Sequence, residues 1–487
     1  MTPPSLYNMC LQKTVSLLKE RKWMTTPQNS FLRVPPRIID DLITTSLDLP
    51  DSDNPKTVRM RLLLESGRIQ HLDLAGFMMD NDQDVLLTTL SEDCCRLLKS
   101  MNIPQWIKPH KIEPVLEICY NLECIHSEIE FDLNALRNNE KLRILKLHLS
   151  ENSVFNMLDR KSIDFYRSLQ YLEVFALCSK ADYFTAWRAV STILENCPNL
   201  VSVGYADTSL AMRDIYRKKN GRYCQFSLKR CVWGSKYWSR RNILRYPTDK
   251  LIFPNLIQTL VSSCQLIEEL LMKVPNEDCL QYLAGLKNLT LLNIDFRICY
   301  DDCMSSFNSM LAQLGPQLKH IFIQNLRNTT VDVIVNNCPN LISLRIEGPA
   351  VISDTAASSD ISMQHLQRFR LSKNDPRVIL FFLSNSPHLK EIYLDSAEGL
   401  NDSLLRKILE RNSLSELEIA SIYCCSLLRG VRLFLQTAVS LKKASFIPID
   451  KIVSDISHEL HRNIEICSFY DLKKMEFFQR KFDSCEF

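Results

Sequence analysis

Glycine is scarce in this sequence, with only 10 in 487 residues, and neither G-x-G-x-x-G nor G-x-x-x-x-G-K-[ST] occurs. A backbone cradle for nucleotide phosphates is therefore not predicted. No apolar run reaches the roughly eighteen residues needed to cross a bilayer, and Met1 to Lys13 lacks the apolar core of a signal peptide. The net charge of +3 is too small to favour a polyanion partner for the whole chain. We expect a protein of the cytoplasm, the nucleus or both, without membrane contact.

Cysteines number 18, but no Cys-x-x-Cys pair occurs. Cys197, Cys264 and Cys338 each lie just before an apolar strand pattern, where a thiol acts as a small buried hydrophobe. Cys299-x-x-x-Cys303 has neither a second pair nor histidines at zinc-finger spacing. The pattern favours reduced thiols, and we predict no metal and no cofactor.

Catalytic motifs are also missing. The nine histidines show no spacing typical of a triad or a metal site, and His458-Glu459-Leu460-His461 is not the His-Glu-x-x-His motif of zinc proteases. Neither Cys94-Cys95 nor Cys424-Cys425 has the electropositive surroundings of a reactive thiol. The sequence therefore predicts a binding protein rather than an enzyme.

One pattern recurs from Gly67 onward: apolar, two variable residues, apolar, one variable residue, apolar. From Ile267 its copies start 22, 29, 23, 25, 23, 25 and 27 residues apart, close to the roughly 20–29-residue period of leucine-rich repeats. The copies begin at Ile69, Leu142, Leu169, Leu200, Tyr223, Ile267, Leu289, Leu318, Leu341, Leu366, Leu389, Leu414 and Leu441. Between Leu74 and Leu142 the pattern is poor, with one weak candidate at Leu122.

The pattern also predicts the secondary structure of each unit. Alternation in its second half indicates a short strand with one buried face, and the stretch between copies, such as residues 331–340, indicates a helix closed by a proline turn. Only neighbouring units can bury that face. We predict an α/β leucine-rich-repeat solenoid over 67–450, a horseshoe with parallel strands on the concave side and helices on the convex side.

The first helix is expected near the N-terminus, with Thr2 as N-cap and Pro3-Pro4 in its first turn. It carries Ser5-Leu6-x-x-x-Cys10 followed by Leu11-Gln12, which resembles the elongin-binding box of the von Hippel–Lindau type. The resemblance implies that Leu6 and Cys10 enter pockets on elongin C, with Met9 and Leu11 beside them, so the expected partner is elongin B/C. The chain departs from the family at Thr14, where an aliphatic residue is usual.

A second segment, Val34-Pro35-Pro36-Arg37-Ile38-Ile39-x-x-Leu42, resembles the cullin-binding box that follows in receptors of cullin-RING ubiquitin ligases. The resemblance implies that Val34, Pro35, Ile38, Ile39 and Leu42 contact a cullin, cullin-2 or else cullin-5. The Cys-Pro-Asn before Leu200 and Leu341 likewise resembles the cysteine-type repeats of such receptors. We place the helical box at 1–46 and a linker with an N-terminal cap at 47–66.

Two other interpretations of the N-terminus stay open. The helices could merely cap the repeats, which would make the chain a leucine-rich-repeat scaffold without a ligase role. The segment from Val34 to Leu42 also resembles the opening of an F-box, although an F-box should continue with two more helices and the chain enters an acidic, proline-bounded linker at 49–55. Exposure of Leu6 and Cys10 distinguishes a docking box from a cap.

A protein substrate is expected on the concave side, where the variable strand positions point. These positions mix polar, aromatic and oppositely charged residues, which suits a protein surface better than a phosphate backbone, although a solvated sheet face would look the same. The substrate-binding candidates here are Arg345, Arg368, Arg370 and Tyr393.

A basic insertion is predicted at about 206–255. From Arg213 to Lys250 twelve Lys or Arg face two acids, with tyrosines and tryptophans between them. Such a stretch is either a solvated loop or a site for an acidic protein segment, and nucleic acid is a less favoured ligand. Its candidate residues are Arg217, Trp233, Trp238, Arg240 and Arg241. The last segment, 451–487, departs from the repeat and is predicted to be a C-terminal cap.

Overall fold

The structure, a computed structural model, describes residues 5–20, 28–47, 56–77, 86–149, 160–179, 186–205, 208–222, 224–234, 252–299, 302–353, 362–397, 399–423, 425–427 and 429–467. The chain divides into two compact units. Met1–Tyr205 forms one, and the other begins at Ala206.

Helices and parallel strands alternate along the first unit. Its described helices are α1 Leu6–Lys19, α2 Pro36–Leu47, α3 Lys56–Leu64, α4 Glu92–Cys95, α5 Pro109–Glu117, α6 Arg160–Ser168 and α7 Ala186–Asn196. Its described strands are β1 His71–Asp73, β2 Ser100–Ile103, β3 Cys124–Ser127, β4 Ile144–Leu149, β5 Val174–Ser179 and β6 Ser202–Gly204. Each strand pairs in parallel with the next one along the chain.

The second unit continues the alternation. Its described helices are α8 Thr208–Lys218, α9 Ile252–Ser263, α10 Leu280–Leu283, α11 Met304–Leu314, α12 Val331–Asn337, α13 Pro376–Asn385, α14 Asp402–Arg411, α15 Gly430–Thr437 and α16 Asp450–Glu459. Its described strands are β7 Arg230–Trp233, β8 Glu269–Lys273, β9 Leu291–Asp295, β10 His320–Gln324, β11 Thr329–Thr330, β12 Ser343–Val351, β13 Arg368–Asn374, β14 Glu391–Leu394, β15 Ile419–Tyr423, β16 Lys443–Ile447 and β17 Glu465–Ile466. Pairing is again parallel, with β11 beside the far end of β12.

The register of these strands builds the core. Equivalent apolar positions lie directly beside one another from strand to strand, and they are buried except on β17, where Ile466 is half-buried. In the second unit this row comprises Cys231, Leu270, Leu292, Ile321, Leu344, Phe369, Ile392, Ala420 and Ala444. A row shared by successive parallel strands, each followed by a helix or turn, is leucine-rich-repeat architecture. The predicted fold class is confirmed.

Two predicted repeats were placed three residues too early. Phe175 lies beside Leu145, so the unit begins at Leu172 rather than Leu169. Ala420 lies beside Ile392, so the later unit begins at Leu417 rather than Leu414. Apolar residues spaced three apart give two overlapping matches to the pattern, and only the neighbouring strand decides between them.

The poor stretch between Leu74 and Leu142 holds two regular units. Met101 and Ile103 of β2 are buried and pair beside Ile125 and Ser127 of β3. The units therefore begin at Leu98, which sequence analysis missed, and at Leu122, the weak candidate. Leu98-x-x-Met101-x-Ile103 fits the apolar pattern at all three positions, so this unit was predictable from the sequence.

The predicted basic insertion contains a repeat of its own. Cys231 lies beside Leu270, so this unit begins at Leu228, not at Tyr223. Trp233 then falls on the last apolar position of the pattern and is fully buried, so its assignment to a binding surface was wrong. Trp238, Arg240 and Arg241 lie outside the described residues.

The C-terminal segment also continues the repeat before it leaves the described part of the chain. Helix α16 is followed by β17, which pairs with β16. Arg462 donates hydrogen bonds to the carbonyls of Val439 at 2.9 Å and Leu441 at 3.1 Å, and to that of Leu435. The three carbonyls precede β16 and Arg462 precedes β17, so one guanidinium of the following unit satisfies backbone acceptors of the unit before it.

Trp233 should therefore matter for stability. We expect Trp233→Ala to lower the free energy of unfolding of the second unit by about 3–5 kcal/mol, because it removes a fully buried ring. Urea unfolding followed by circular dichroism measures the change. Tyr171→Ala, at an exposed aromatic, is the control and should change stability by less than about 0.5 kcal/mol. Equal effects of the two substitutions would contradict the assignment of Trp233 to the core.

Candidate protein-binding surfaces

Helix α1 has one buried face. It begins at Leu6, where the Oγ atom of Ser5 accepts a hydrogen bond from the amide of Asn8 at 3.2 Å, so Ser5 is the N-cap rather than Thr2. Leu11, Val15 and Leu18, spaced four and three residues apart, are buried. They lie on one stripe of the helix, and α1 contacts both α2 and α3.

The rest of the apolar surface of α1 faces outward. The side chains of Leu6 and Met9 are 77% and 52% exposed, and Cys10 is exposed as well. Leu6 and Cys10 are one turn apart and share a face. Leu11 was predicted to belong to this surface, but it is buried, because it lies about 100° round the helix from Cys10 and faces α2 and α3. Leu11 is therefore an internal packing residue.

A polar contact fixes the outward orientation of α1. The Tyr7 hydroxyl donates a hydrogen bond to the Oδ2 atom of Asp41 on α2. This bond raises the pKa of Tyr7 above its ordinary value, because ionisation would remove the donor proton beside a carboxylate. Tyr7 is 44% exposed, so the contact lies at the edge of the exposed surface and ties α1 to α2.

Helix α2 covers the first repeat. Ile39, Leu42 and Ile43 are buried. The Oδ1 atom of Asp40 accepts hydrogen bonds from the amides of Gln70 at 3.0 Å and His71 at 3.3 Å, at the start of β1. These bonds satisfy backbone donors at the open end of the repeats.

The five predicted cullin-binding residues thus fall into a buried group and an accessible group. Ile39 and Leu42 are unavailable to a partner, because both side chains are buried, and that part of the prediction was wrong. Pro35 is exposed, and Val34 and Ile38 are half-buried. Only these three present accessible surface.

The substrate candidates of the second unit lie side by side. Phe322, Arg345, Arg370 and Tyr393 occupy equivalent positions on β10, β12, β13 and β14. The Arg345 guanidinium lies 3.9 Å from the centroid of the Phe322 ring. Each of these side chains is less than a tenth exposed. The structure brings together three of the four predicted residues, with Arg368 in the neighbouring row.

These arginines already have partners within the protein. Arg370 donates to the Oδ2 atom of Asp395 from its Nη2 atom at 2.8 Å and from Nε at 3.1 Å, and Arg345 pairs with Glu347. Burial lowers the pKa of both arginines, and the carboxylates oppose that effect. Arg345 and Glu347 are two residues apart on β12, whereas the contact of Arg370 with Asp395 depends on strand register, which the sequence pattern does not give.

A third pair completes the group. The Nε atom of Arg368 donates to the Oε1 atom of Glu391 at 3.1 Å, and the Tyr393 hydroxyl donates to the Oε2 atom of the same carboxylate at 3.1 Å. Burial raises the pKa of Tyr393, and the Glu391 carboxylate adds to the rise. The three arginines and three acids balance in charge. The face can therefore hold a ligand by hydrogen bonds and ring contacts, without a large net attraction.

The remaining described candidate, Arg217, lies in the last turn of α8 and is exposed. Lys219 and Arg222 follow it and are exposed too. Cations at a helix C-terminus also interact favourably with the helix dipole. The position of Arg217 on a helix separates it from the arginines of the strands.

The described residues also bear on two other kinds of site. Within those ranges, no group of three or more His, Cys, Asp or Glu side chains could hold a metal ion. None of the described helices combines the length and the apolar character that crossing a membrane requires.

No family model matches this sequence, and no curated protein matches it. Solved structures similar to it include the yeast Rad7 and Elc1 complex, with 13% identity over 86% of this chain and 94% of that chain and a TM-score of 0.42. A TLR13–ssRNA13 complex matches with 13% identity, 79% and 58% coverage and a TM-score of 0.34. The leucine-rich-repeat protein LegL7 from Legionella pneumophila matches with 11% identity, 72% and 100% coverage and a TM-score of 0.35. Likeness at this level says nothing about what the chain binds.

The buried pair Arg370–Asp395 should contribute to stability. We expect Arg370→Ala to cost about 3–5 kcal/mol of unfolding free energy, because it leaves a largely buried carboxylate without its cation. Arg143→Ala is the matched control: Arg143 makes an equally short two-point pair with Glu173, but both side chains are exposed, so the cost should be about 0–1 kcal/mol. Chemical denaturation of both variants measures the loss of unfolding free energy. A loss for Arg370→Ala as small as that of the control would contradict the prediction.

Proposed function

We propose that this chain is a non-catalytic substrate receptor of a cullin-RING ubiquitin ligase, which docks elongin B/C through α1 and binds a target protein with its repeats. One observation carries the proposal. The two residues of the Leu6-x-x-x-Cys10 box are exposed together on α1, while the opposite stripe of the same helix is buried.

This exposure has an energetic meaning. Burying a leucine or methionine side chain fully is worth about 1.5–3 kcal/mol. A helix that served only as a cap would gain this burial free energy by packing Leu6 and Met9 against the repeats. Here α2 does the capping, and α1 keeps a compact apolar surface directed outward, as expected of a partner-binding site.

The F-box alternative fits less well. That interpretation uses the apolar residues of the segment from Val34 to Leu42 as the docking surface. Ile39 and Leu42 are buried, so a partner could reach them only if the packing around α2 opened. The cullin contact that we propose is smaller and consists of Val34, Pro35 and Ile38, next to the elongin-binding helix. Cullin-2 is the expected cullin, and cullin-5 is the alternative.

The target protein is proposed to bind the repeats of the second unit. Each side chain of the row Phe322, Arg345, Arg370 and Tyr393 is less than a tenth exposed, so the target would first meet the half-buried side chains beside the row, Arg368, Glu391 and Asp395. Arginine is common in protein interfaces. Arg217 on α8 offers an exposed cation that would suit an acidic segment of the same target.

Co-purification with elongin B/C tests the adaptor contact. We expect the wild-type chain to bind and Leu6→Ser/Cys10→Asp to lose binding. Each anchor should contribute about 2 kcal/mol or more, roughly a thirtyfold change in Kd, because both side chains would be desolvated in pockets of the adaptor. Circular dichroism should show an unchanged fold, because neither side chain is buried in the free chain.

Leu266→Ser/Gln265→Asp is the matched control. It removes another exposed leucine and adds a carboxylate beside it, at a turn of the second unit, and it should bind elongin B/C as the wild type does. If the wild type fails to bind, or if the α1 double variant binds undiminished, the scaffold interpretation replaces the receptor proposal.

The cullin contact has a separate test. With elongin B/C present, we expect Val34→Asp/Ile38→Asp to retain the adaptor and to lose cullin-2, because charge is placed in a small apolar contact. Thr44→Asp, on an exposed position of α2, should retain both. Pull-down with cullin-2 and cullin-5 side by side measures the preference. Cullin binding unaffected by the double substitution would show that the contact lies elsewhere.

A further inference from the structure

Two cysteine thiols touch at the start of α11. The Sγ atoms of Cys299 and Cys303 are 2.9 Å apart, whereas a disulfide bond is about 2.05 Å long. The two sulfurs would therefore need to approach by only about 0.9 Å to form a bond.

The backbone holds both thiols in place. Cys299 closes a turn after β9, where its amide donates to the carbonyl of Phe296 at 3.0 Å. Cys303 is the residue before α11, and its carbonyl accepts from the amide of Phe307 at 2.8 Å. The rings of Phe296 and Phe307 pack edge to face, 5.7 Å between centroids. The turn and the helix are thus packed together, and a bond between the sulfurs would join parts that are already in contact.

Solvent reaches the two thiols unequally. Cys299 is partly exposed, and Cys303 is buried. Cys279 is buried, and its thiol is engaged elsewhere, because its Sγ atom lies 2.9 Å from the Oδ1 atom of Asn276. An oxidant from solution therefore meets Cys299 first, with Cys303 as the sulfur in contact with it.

We propose that Cys299 and Cys303 are a reversible redox pair, in which a peroxide oxidises Cys299 and Cys303 resolves the product into an intramolecular disulfide. In the first step the Cys299 thiolate attacks the peroxide, breaks the O–O bond and becomes a sulfenic acid, and the other oxygen leaves as water or an alcohol. In the second step the Cys303 sulfur attacks the Cys299 sulfur and displaces hydroxide, which leaves as water with the Cys303 proton. Two electrons pass from the sulfurs to the peroxide, and a dithiol reductant reverses the reaction.

A second close thiol pair in the fold provides a contrast. Cys95 and Cys119 interact by a hydrogen bond, and both are fully buried in the first unit. Because oxidation by a soluble peroxide needs access as well as proximity, this pair should stay reduced under conditions that oxidise Cys299 and Cys303.

The test is mild hydrogen peroxide treatment of the folded full-length chain, blocking of free thiols with N-ethylmaleimide, and peptide mass spectrometry. The peptide that holds both residues should lose two hydrogen atoms and resist alkylation, and dithiothreitol should restore both thiols. The peptides that hold Cys95 and Cys119 should remain fully alkylated after the chain is unfolded in the blocking reagent.

Single serine variants identify the order of events. Cys303→Ser should accumulate a sulfenic acid at Cys299, which dimedone traps, whereas Cys299→Ser should leave Cys303 as a free thiol. Cys279→Ser should form the disulfide as the wild type does. The proposal is overturned if Cys299 is oxidised while Cys303 stays a free thiol in the wild type, if Cys299 pairs with Cys279, or if the peroxide leaves both thiols unmodified.

Discussion

Burial of one repeat by the next is the constraint on which this structure depends. A single unit offers a strand of about five residues and a short helix, too little to bury its own apolar face. Parallel pairing in strict register brings Leu292, Ile321 and Leu344 side by side and turns many small faces into one continuous core. The ends of such an array have no neighbour, so other groups must cover them. Asp40 does so for backbone amides at β1.

The same constraint explains the arrangement of the N-terminal helices. Helix α2 lies at the open edge of β1, where Asp40 accepts hydrogen bonds from the amides of Gln70 and His71, and its own Ile39 and Leu42 are buried. Once α2 is in place, α1 packs on α2 and α3 through Leu11, Val15 and Leu18. The face with Leu6 and Met9 then has nothing left to cover and remains in solvent. Under the proposed function, capping and docking are therefore tasks of different helices, although the sequence resemblance had assigned both helices to docking.

Much of this architecture could be predicted from the sequence, because a period near 25 residues with fixed apolar spacing has few structural solutions. What could not be predicted is what depends on neighbours. Leu169 and Leu172 both fit the pattern as the start of a unit. Only the pairing of Phe175 with Leu145 on the preceding strand, β4, favours Leu172. Trp233 looked like part of a binding loop because basic residues surround it, but pairing places it in the core. On α1 a count of apolar residues could not tell which of two stripes would be buried.

Register also decides what the arginines of the second unit can do. Arg370 and Asp395 belong to adjacent strands, and Arg345 lies beside Arg370 in the same row. Their internal pairing removes most of the long-range attraction that three arginines would otherwise exert on an acidic ligand. A carboxylate that binds here must displace Glu347 or Asp395, or share a guanidinium with it. If a target binds this face, as we propose, it would first meet the half-buried carboxylates Glu391 and Asp395, and attraction over distance would come from exposed cations such as Arg217.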